Sequence, residues 1–486
     1  MHPPPNAETP GEALPIAPHE APGKAPRHLR ASDARALAQL ATQATVGVTG
    51  IVEGAHLAVL KTLGLPGSAR SGQNARQTAG LTGLVYRSID AVARGVGQGV
   101  DALLAGLLPP PEGHGADAAG TREREAVLAA LNGVMGDRLA ASGNGLATPM
   151  SLRWRGQALN GRTAAELAAR LASTPAPPSS ASSSPSPPAT GRLLLLIHGL
   201  CMNDLQWQTE HEGRPVDHGA ALAQAGYTPI YLRYNTGRHI SQNGRELAQL
   251  LESLLEPLLA DGPLPVTELS VVAHSMGGLV IRSAVQIARE EGLRWPDKLK
   301  SIVFLGTPQH GAPLERAGNG LDALLAATPW SAPYARIGQL RSAGITDLRY
   351  GLLQDADWQG RDRFRRQPDS RVPLPLPAGV ACYACAATTA AAPDSAAGAA
   401  GRTRPGALAS LLRHRLVGDG LVPLRSALGL HDDPALCLDF PAAQQAIAYG
   451  MHHLELLSRP EVTRQLLVWL APQAQPHGGS GIAVAA

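Results

Sequence analysis

Apolar and polar positions follow two different rhythms along the chain, and the change falls near residue 190. Before it, apolar residues recur at helical spacing. Leu37, Leu40, Ala44, Val48 and Ile51 share one face of a helix predicted over 32–62, with Ser32 and Asp33 as its cap. Val92, Val96, Val100, Leu103 and Leu107 repeat the pattern over 79–108, where Gly95 and Gly99 allow a neighbouring helix to approach closely and Pro109 to Pro111 end the run. A third helix is predicted over 122–142, carrying Val127, Leu128, Leu131 and Val134. Residues 150–155 alternate as a short strand, 156–160 read as a turn, and 162–173 as a short helix.

From Arg192 onward, strands and helices alternate. Residues 193–197 are an unbroken apolar run, as expected of a strand covered on both faces. Further strands are predicted over 227–235, 268–273, 300–306, 377–388 and 435–440, and helices over 215–225, 240–260, 276–291 and 460–470. This predicts an α/β fold, a mostly parallel sheet with helices on both faces, preceded by a small helical domain. The plan is a disordered tail over 1–28, a mainly helical N-terminal domain over 29–173, a Pro/Ser linker over 174–190, an α/β domain over 191–473 and a second tail over 474–486. Within the α/β domain, 312–375 reads as an inserted cap, with Leu321, Leu324, Leu325, Trp330, Tyr334 and Ile337 as its apolar positions.

Composition removes some functions. Aromatic residues are 3% and the formal net charge is +3, so neither stacking platforms nor a basic field favours nucleic acid. Cys201, Cys382, Cys385 and Cys437 are too few and scattered for a disulfide framework. Cys382 and Cys385, three apart on a predicted strand, would face opposite sides of a sheet and could not share one metal. No metal or cofactor is expected. The N-terminus lacks the charged head and apolar core of a signal peptide, and no apolar run is long enough to span a bilayer, so a cytoplasmic protein is expected.

The chemistry concentrates at four places. Ala273-His274-Ser275-Met276-Gly277-Gly278 joins a buried strand to a helix, and a sharp turn there would push the Ser275 hydroxyl outward as a nucleophile. Ala273 stands where Gly is usual, and is small enough for the turn. His198-Gly199-Leu200 ends the first α/β strand, making the Leu200 N–H, together with that of Met276, a candidate oxyanion donor. His198 itself falls at the wrong point in chain order for a base and reads as structural. Asp419, between Gly418 and Gly420, is the candidate acid. His452 and His453 compete for the base, with His453 favoured.

These motifs, with FLGTPQHGAPLER (304–316), GDGLVP (418–423) and HHLELL (452–457), make the chain resemble the α/β-hydrolase superfamily, closest to bacterial serine lipases and esterases similar to the GPI-inositol-deacylase group. The resemblance spans about 192–473 and implies the order Ser275, Asp419, His453 for a catalytic triad, with His310 structural. It implies hydrolysis of acyl or lipid esters through an acyl-enzyme. An acyltransferase on the same triad, or a noncatalytic scaffold binding a lipid surface or partner through the helical domain or the cap, are the competing readings.

Overall fold

The computed structural model describes residues 122–159, 166, 190–259, 266–312, 341–363, 368–392 and 418–471. The helices expected over 32–62 and 79–108, the linker up to residue 189, both tails and the apolar cap residues from Leu321 to Ile337 lie outside the described residues.

Helix α1 (Arg122–Ala141) leads into the hairpin β1 (Ser151–Trp154) and β2 (Gln157–Ala158). Then follow β3 (Arg192–Ile197), the hairpin β4 (Gln208–His211) and β5 (Arg214–Asp217), α2 (His218–Gln224), β6 (Thr228–Arg233) and α3 (Ile240–Leu259). Next come β7 (Glu268–His274), α4 (Met276–Glu290), β8 (Leu299–Leu305), the short helices α5 (Ala343–Asp347) and α6 (Asp355–Trp358), and β9 (Ala381–Thr388). The chain closes with α7 (Leu424–Ala427), β10 (Gln445–Tyr449) and α8 (Pro460–Leu470).

Eight strands form one sheet in the order β10-β9-β8-β7-β3-β6-β1-β2. From β10 to β6 every pair is parallel, whereas β1 and β2 are antiparallel. Because side chains alternate across a strand, an all-apolar strand feeds two cores at once. Leu193, Leu195 and Ile197 enter one core with α3 and α4, while Leu194 and Leu196 enter the other with α2 and α8. The same rule separates the two strand cysteines: Cys382 packs in the first core and Cys385 in the second. Truncating Leu195, 1% exposed, to Ala would cost about 2–5 kcal/mol.

The α/β expectation holds, but its boundaries shift. The sheet begins at Ser151, well before residue 191, because β1 pairs with β6 and places Leu152 and Trp154 in the same core as Leu195. Helix α1 joins that core through Val134. Its Glu125 carboxylate meets the Arg233 guanidinium at 2.6 Å, and Arg233 also bonds Asp204. Both hairpins turn on a residue pair with positive φ, Arg155-Gly156 and Glu212-Gly213. Neither pair carries the Asn or Asp that usually marks such a turn, so β2 and β4–β5 were not predicted. The strand expected over 435–440 is instead a 3₁₀ turn at Pro434–Leu436, and the edge strand is β10. Pro434 and Pro441 lack the N–H that a strand ladder needs.

The described part of the inserted segment is packed. Ser342 Oγ donates to Gly133 O of α1 at 2.6 Å, and Ser241 Oγ of α3 donates to Asp355 at 2.6 Å. The His239 ring stacks on Trp358 with centroids 3.7 Å apart.

Candidate active site

Ser275 sits between β7 and α4 with φ 53 and ψ −125. That backbone is costly for a residue with a side chain and persists only where surroundings fix it. Here the Ser275 N–H donates to Leu305 O at 2.8 Å, and the Gly278 N–H donates to Ser275 O at 3.1 Å. Met276, directly after it, is the first helical residue. Its N–H is one of the four that an α-helix leaves without an intrahelical partner, at the positive end of the helix dipole.

The loop after β3 presses on this turn. A Cβ added to Gly199 would come within 2.8 Å of Ser275 Cβ, so only glycine lets the two backbones meet. The loop is held from below: Tyr234 OH donates to His198 O at 2.9 Å, and its ring stacks on His198 with centroids 4.5 Å apart. Burial drives the His198 imidazole down to about 4, so it stays neutral, and its Nδ1 lies 3.0 Å from Gly199 O. A structural place for this histidine agrees with its chain position. Leu200, 4% exposed, lies within the loop, and Cys201 follows with φ 59 and its N–H donating to Thr236 Oγ1 at 3.2 Å.

The candidate acid and the candidate base meet on the other side. Asp419 Oδ1 accepts from the N–H groups of Leu421 (3.0 Å) and Val422 (2.8 Å), which orients the carboxylate. Its Oδ2 accepts from His453 Nδ1 at 2.6 Å, and the His453 N–H donates to Asp419 O at 3.1 Å. Both side chains are buried, at 3% and 1% exposure for His453 and Asp419. The neighbouring His452 is exposed and spends its N–H on Glu455. Of the two competing histidines, then, it is His453 that faces the carboxylate.

The two halves share a wall. Gly306 follows the Leu305 carbonyl that holds Ser275, and a Cβ on it would come within 3.1 Å of His453 Cε1. Ser275 and His453 thus flank one residue pair at the ends of β7 and β8. A residue that the motif contains but that sequence reasoning left without a role, His274, also bridges them. Its Nε2 lies 3.3 Å from His453 O and its ring centroid 4.7 Å from that of His453. Burial, and next the adjacent His453, hold His274 well below the ordinary histidine value, so it contributes no charge to the site. Tyr234 and Thr236 were likewise not singled out, since the contacts that matter come from β6 and the turn after it, distant in sequence.

His310 lies in the loop after β8, with Arg371 donating to its Nδ1 at 3.1 Å, apart from the Asp419–His453 pair. Among the described residues no group of three or more His, Cys, Asp and Glu side chains is placed to hold a metal ion. Nor is any helix among them long and apolar enough to cross a membrane.

A strained serine between a central parallel strand and a helix, with an acid and then a histidine following in chain order from later strand ends, decides the architecture. The fold is that of the α/β-hydrolases. A family model described as a domain of unknown function (DUF7379) matches residues 165–336. No curated protein matches the chain. Among solved structures, the chain is similar to the mature lipase BlEst2 of Bacillus licheniformis, at 18% identity and TM-score 0.35 over 58% of this chain and 91% of that one. It is similar to the Staphylococcus hyicus lipase at 13% identity and TM-score 0.30, over 59% and 96% of the two chains. It is also similar to the Pyrococcus furiosus esterase Pf2001 at 13% identity and TM-score 0.29, over 58% and 85%. Likeness at this level assigns no activity to this chain.

Proposed function

We propose that the chain is a carboxylic ester hydrolase, with Ser275 as nucleophile, His453 as base and Asp419 as the acid that orients it. The observation that carries this reading is the buried 2.6 Å contact between His453 and Asp419 beside a serine in a strained strand-to-helix turn. A surface Asx turn would not seal its carboxylate against a histidine from a segment 34 residues away. In this mechanism His453 takes the proton of Ser275 as its oxygen attacks the ester carbonyl. Asp419 keeps the proton on Nδ1, leaving Nε2 to accept, and stabilises the imidazolium that forms. The N–H groups of Leu200 and Met276 receive the developing oxyanion, each worth about 2.7–4 kcal/mol of barrier. The protonated His453 then gives its proton to the leaving alcohol, and water releases the acyl group by the same relay.

The substrate in this reading is an acyl or lipid ester. The motifs AHSMGG and FLGTPQHGAPLER support placing the enzyme beside the bacterial lipases similar to the GPI-inositol-deacylase group. Hydrolysis of p-nitrophenyl esters that disappears in Ser275→Ala is the expected result. Undiminished hydrolysis in that variant contradicts the proposal.

A further inference from the structure

Helix α1 lies outside the repeating strands and helices, yet it is fitted against the loop that follows β3. A Cβ on Gly133 would overlap Cys201 Sγ and come within 3.0 Å of the Cys201 Cα and backbone N. Cys201 is the residue after Leu200, and its φ of 59 is a conformation that a side-chain-bearing residue holds only under constraint. Two contacts fix it: the Cys201 N–H donates to Thr236 Oγ1 on one side, and α1 stands against it on the other. The seat itself is tied to β6 and the turn after it. Asn235, next to Thr236, donates through Nδ2 to Gly136 O of α1 at 2.8 Å, and Glu125 of α1 pairs with Arg233 at 2.6 Å.

The first turns of α1 also face a cavity of about 320 Å³, the size of a small ligand site. Its walls include Arg122 and Ala126 from α1, Met202 and Leu205 from the loop, and Leu454 and Leu457 beside His453. Met202 of this lining is two residues after the candidate oxyanion donor Leu200, and Leu454 directly follows the candidate base His453. Ala126, Met202, Leu205, Leu454 and Leu457 give it an apolar side that suits hydrocarbon, Arg122, Asn203, Gln206, Gln208 and Thr209 give it a polar one, and its volume, at the low end for ligand pockets, suits a short or medium chain rather than a long one.

We infer that helix α1 is a working part of the active site: Gly133 seats the oxyanion loop through Cys201, and Ala126 forms a wall of the cavity that takes the acyl chain of a short- or medium-chain ester. This rests on the hydrolase reading. Gly133 is a positioning residue; it acts through Cys201 on the neighbouring Leu200 N–H. Ala126 acts through the space it leaves open.

The test uses the full chain and p-nitrophenyl esters that differ only in acyl length. Gly133→Ala lowers kcat about tenfold or more, while KM stays within about twofold, because the donor is displaced from the oxyanion and not from the ground-state substrate. Adding Cys201→Gly to Gly133→Ala removes the overlapping side chain and the strained φ, and restores most of kcat. Ala126→Trp lowers the octanoate-to-acetate ratio of kcat/KM by about tenfold or more. Circular dichroism establishes that each variant is folded. Three results overturn the inference: folded Gly133→Ala with unchanged kcat, a kcat loss that Cys201→Gly does not rescue, or an Ala126→Trp variant with an unchanged acyl-length ratio. If the wild-type chain takes no fluorophosphonate at Ser275, the hydrolase reading falls and this one with it. If it does, and the variants behave as wild type, only the role of α1 is refuted.

Discussion

Acid should unfold this protein through its buried neutral histidines, and one of them offers a clean measurement. The His218 ring is fully buried: Nδ1 lies 2.8 Å from Thr463 Oγ1, and Nε2 lies 2.9 Å from Leu456 O. Nε2 must donate to that carbonyl, so Nδ1 accepts from Thr463 and the ring holds one proton. Burial lowers its value from the ordinary 6.5 to about 4, only partly offset by the Leu456 carbonyl. The unfolded chain therefore binds a proton near pH 6.5 that the folded chain refuses until about pH 4. Stability from this group is complete above pH 6.5, falls as pH drops through that window, and is gone below it. At about 1.36 kcal/mol for each pH unit, the full loss comes to about 3 kcal/mol. His198 acts in the same direction, so the wild-type slope is the steeper for it. His218→Gln keeps an uncharged donor and acceptor in the same place but cannot take the proton. Urea denaturation of both proteins across this range should show the wild type losing stability more steeply, by about 1.4 kcal/mol per pH unit. Parallel slopes for the two would refute the assignment of a buried neutral His218.

Other outcomes follow from the same contacts. Asp419→Asn removes the acceptor that sets the His453 tautomer, and steady-state kinetics should show kcat falling about 10⁴-fold with little change in KM. Tyr234→Phe leaves the buried His198 carbonyl without its donor, and should cost about 1–3 kcal/mol in denaturant unfolding. Cys201, Cys382 and Cys385 are buried with thiols pushed up to about 12, whereas Cys437 is exposed, so a thiol reagent should modify Cys437 alone in the native protein and all four after unfolding. Rapid native reaction of a second thiol would contradict the packing of β9 or of the loop after β3.

The central strands were legible because a buried parallel strand is written as an apolar run, and 193–197 and 268–273 could be little else. The sharp turn at Ser275 was legible for a local reason: it needs small residues at fixed offsets on either side. Asp419 and His453 were readable only as candidates in chain order. His453 was favoured over His452 as the residue directly before Leu454-Glu455-Leu456-Leu457, but the contact that separates them, with Asp419 in the turn at Gly418–Gly420, is not written locally. The strand over 150–155 falls in the helical unit by sequence because its pairing partner, β6, lies some 80 residues away by the register of Arg153 with Tyr231. For the same reason the place of α1 against Cys201 left no trace in the sequence, where Gly133 looks only like a poor helix residue. Strand β10 was missed because its residues are half-buried and preceded by two prolines, so neither an apolar run nor a clean alternation marks it.

The most direct measurement is to react the intact protein with a fluorophosphonate and locate the adduct by peptide mapping. A single adduct on Ser275, formed far more slowly when His453 is replaced by Ala, is what the proposed relay requires. An adduct on another residue, or a rate indifferent to the imidazole, would remove the basis for assigning this chain an ester hydrolase activity.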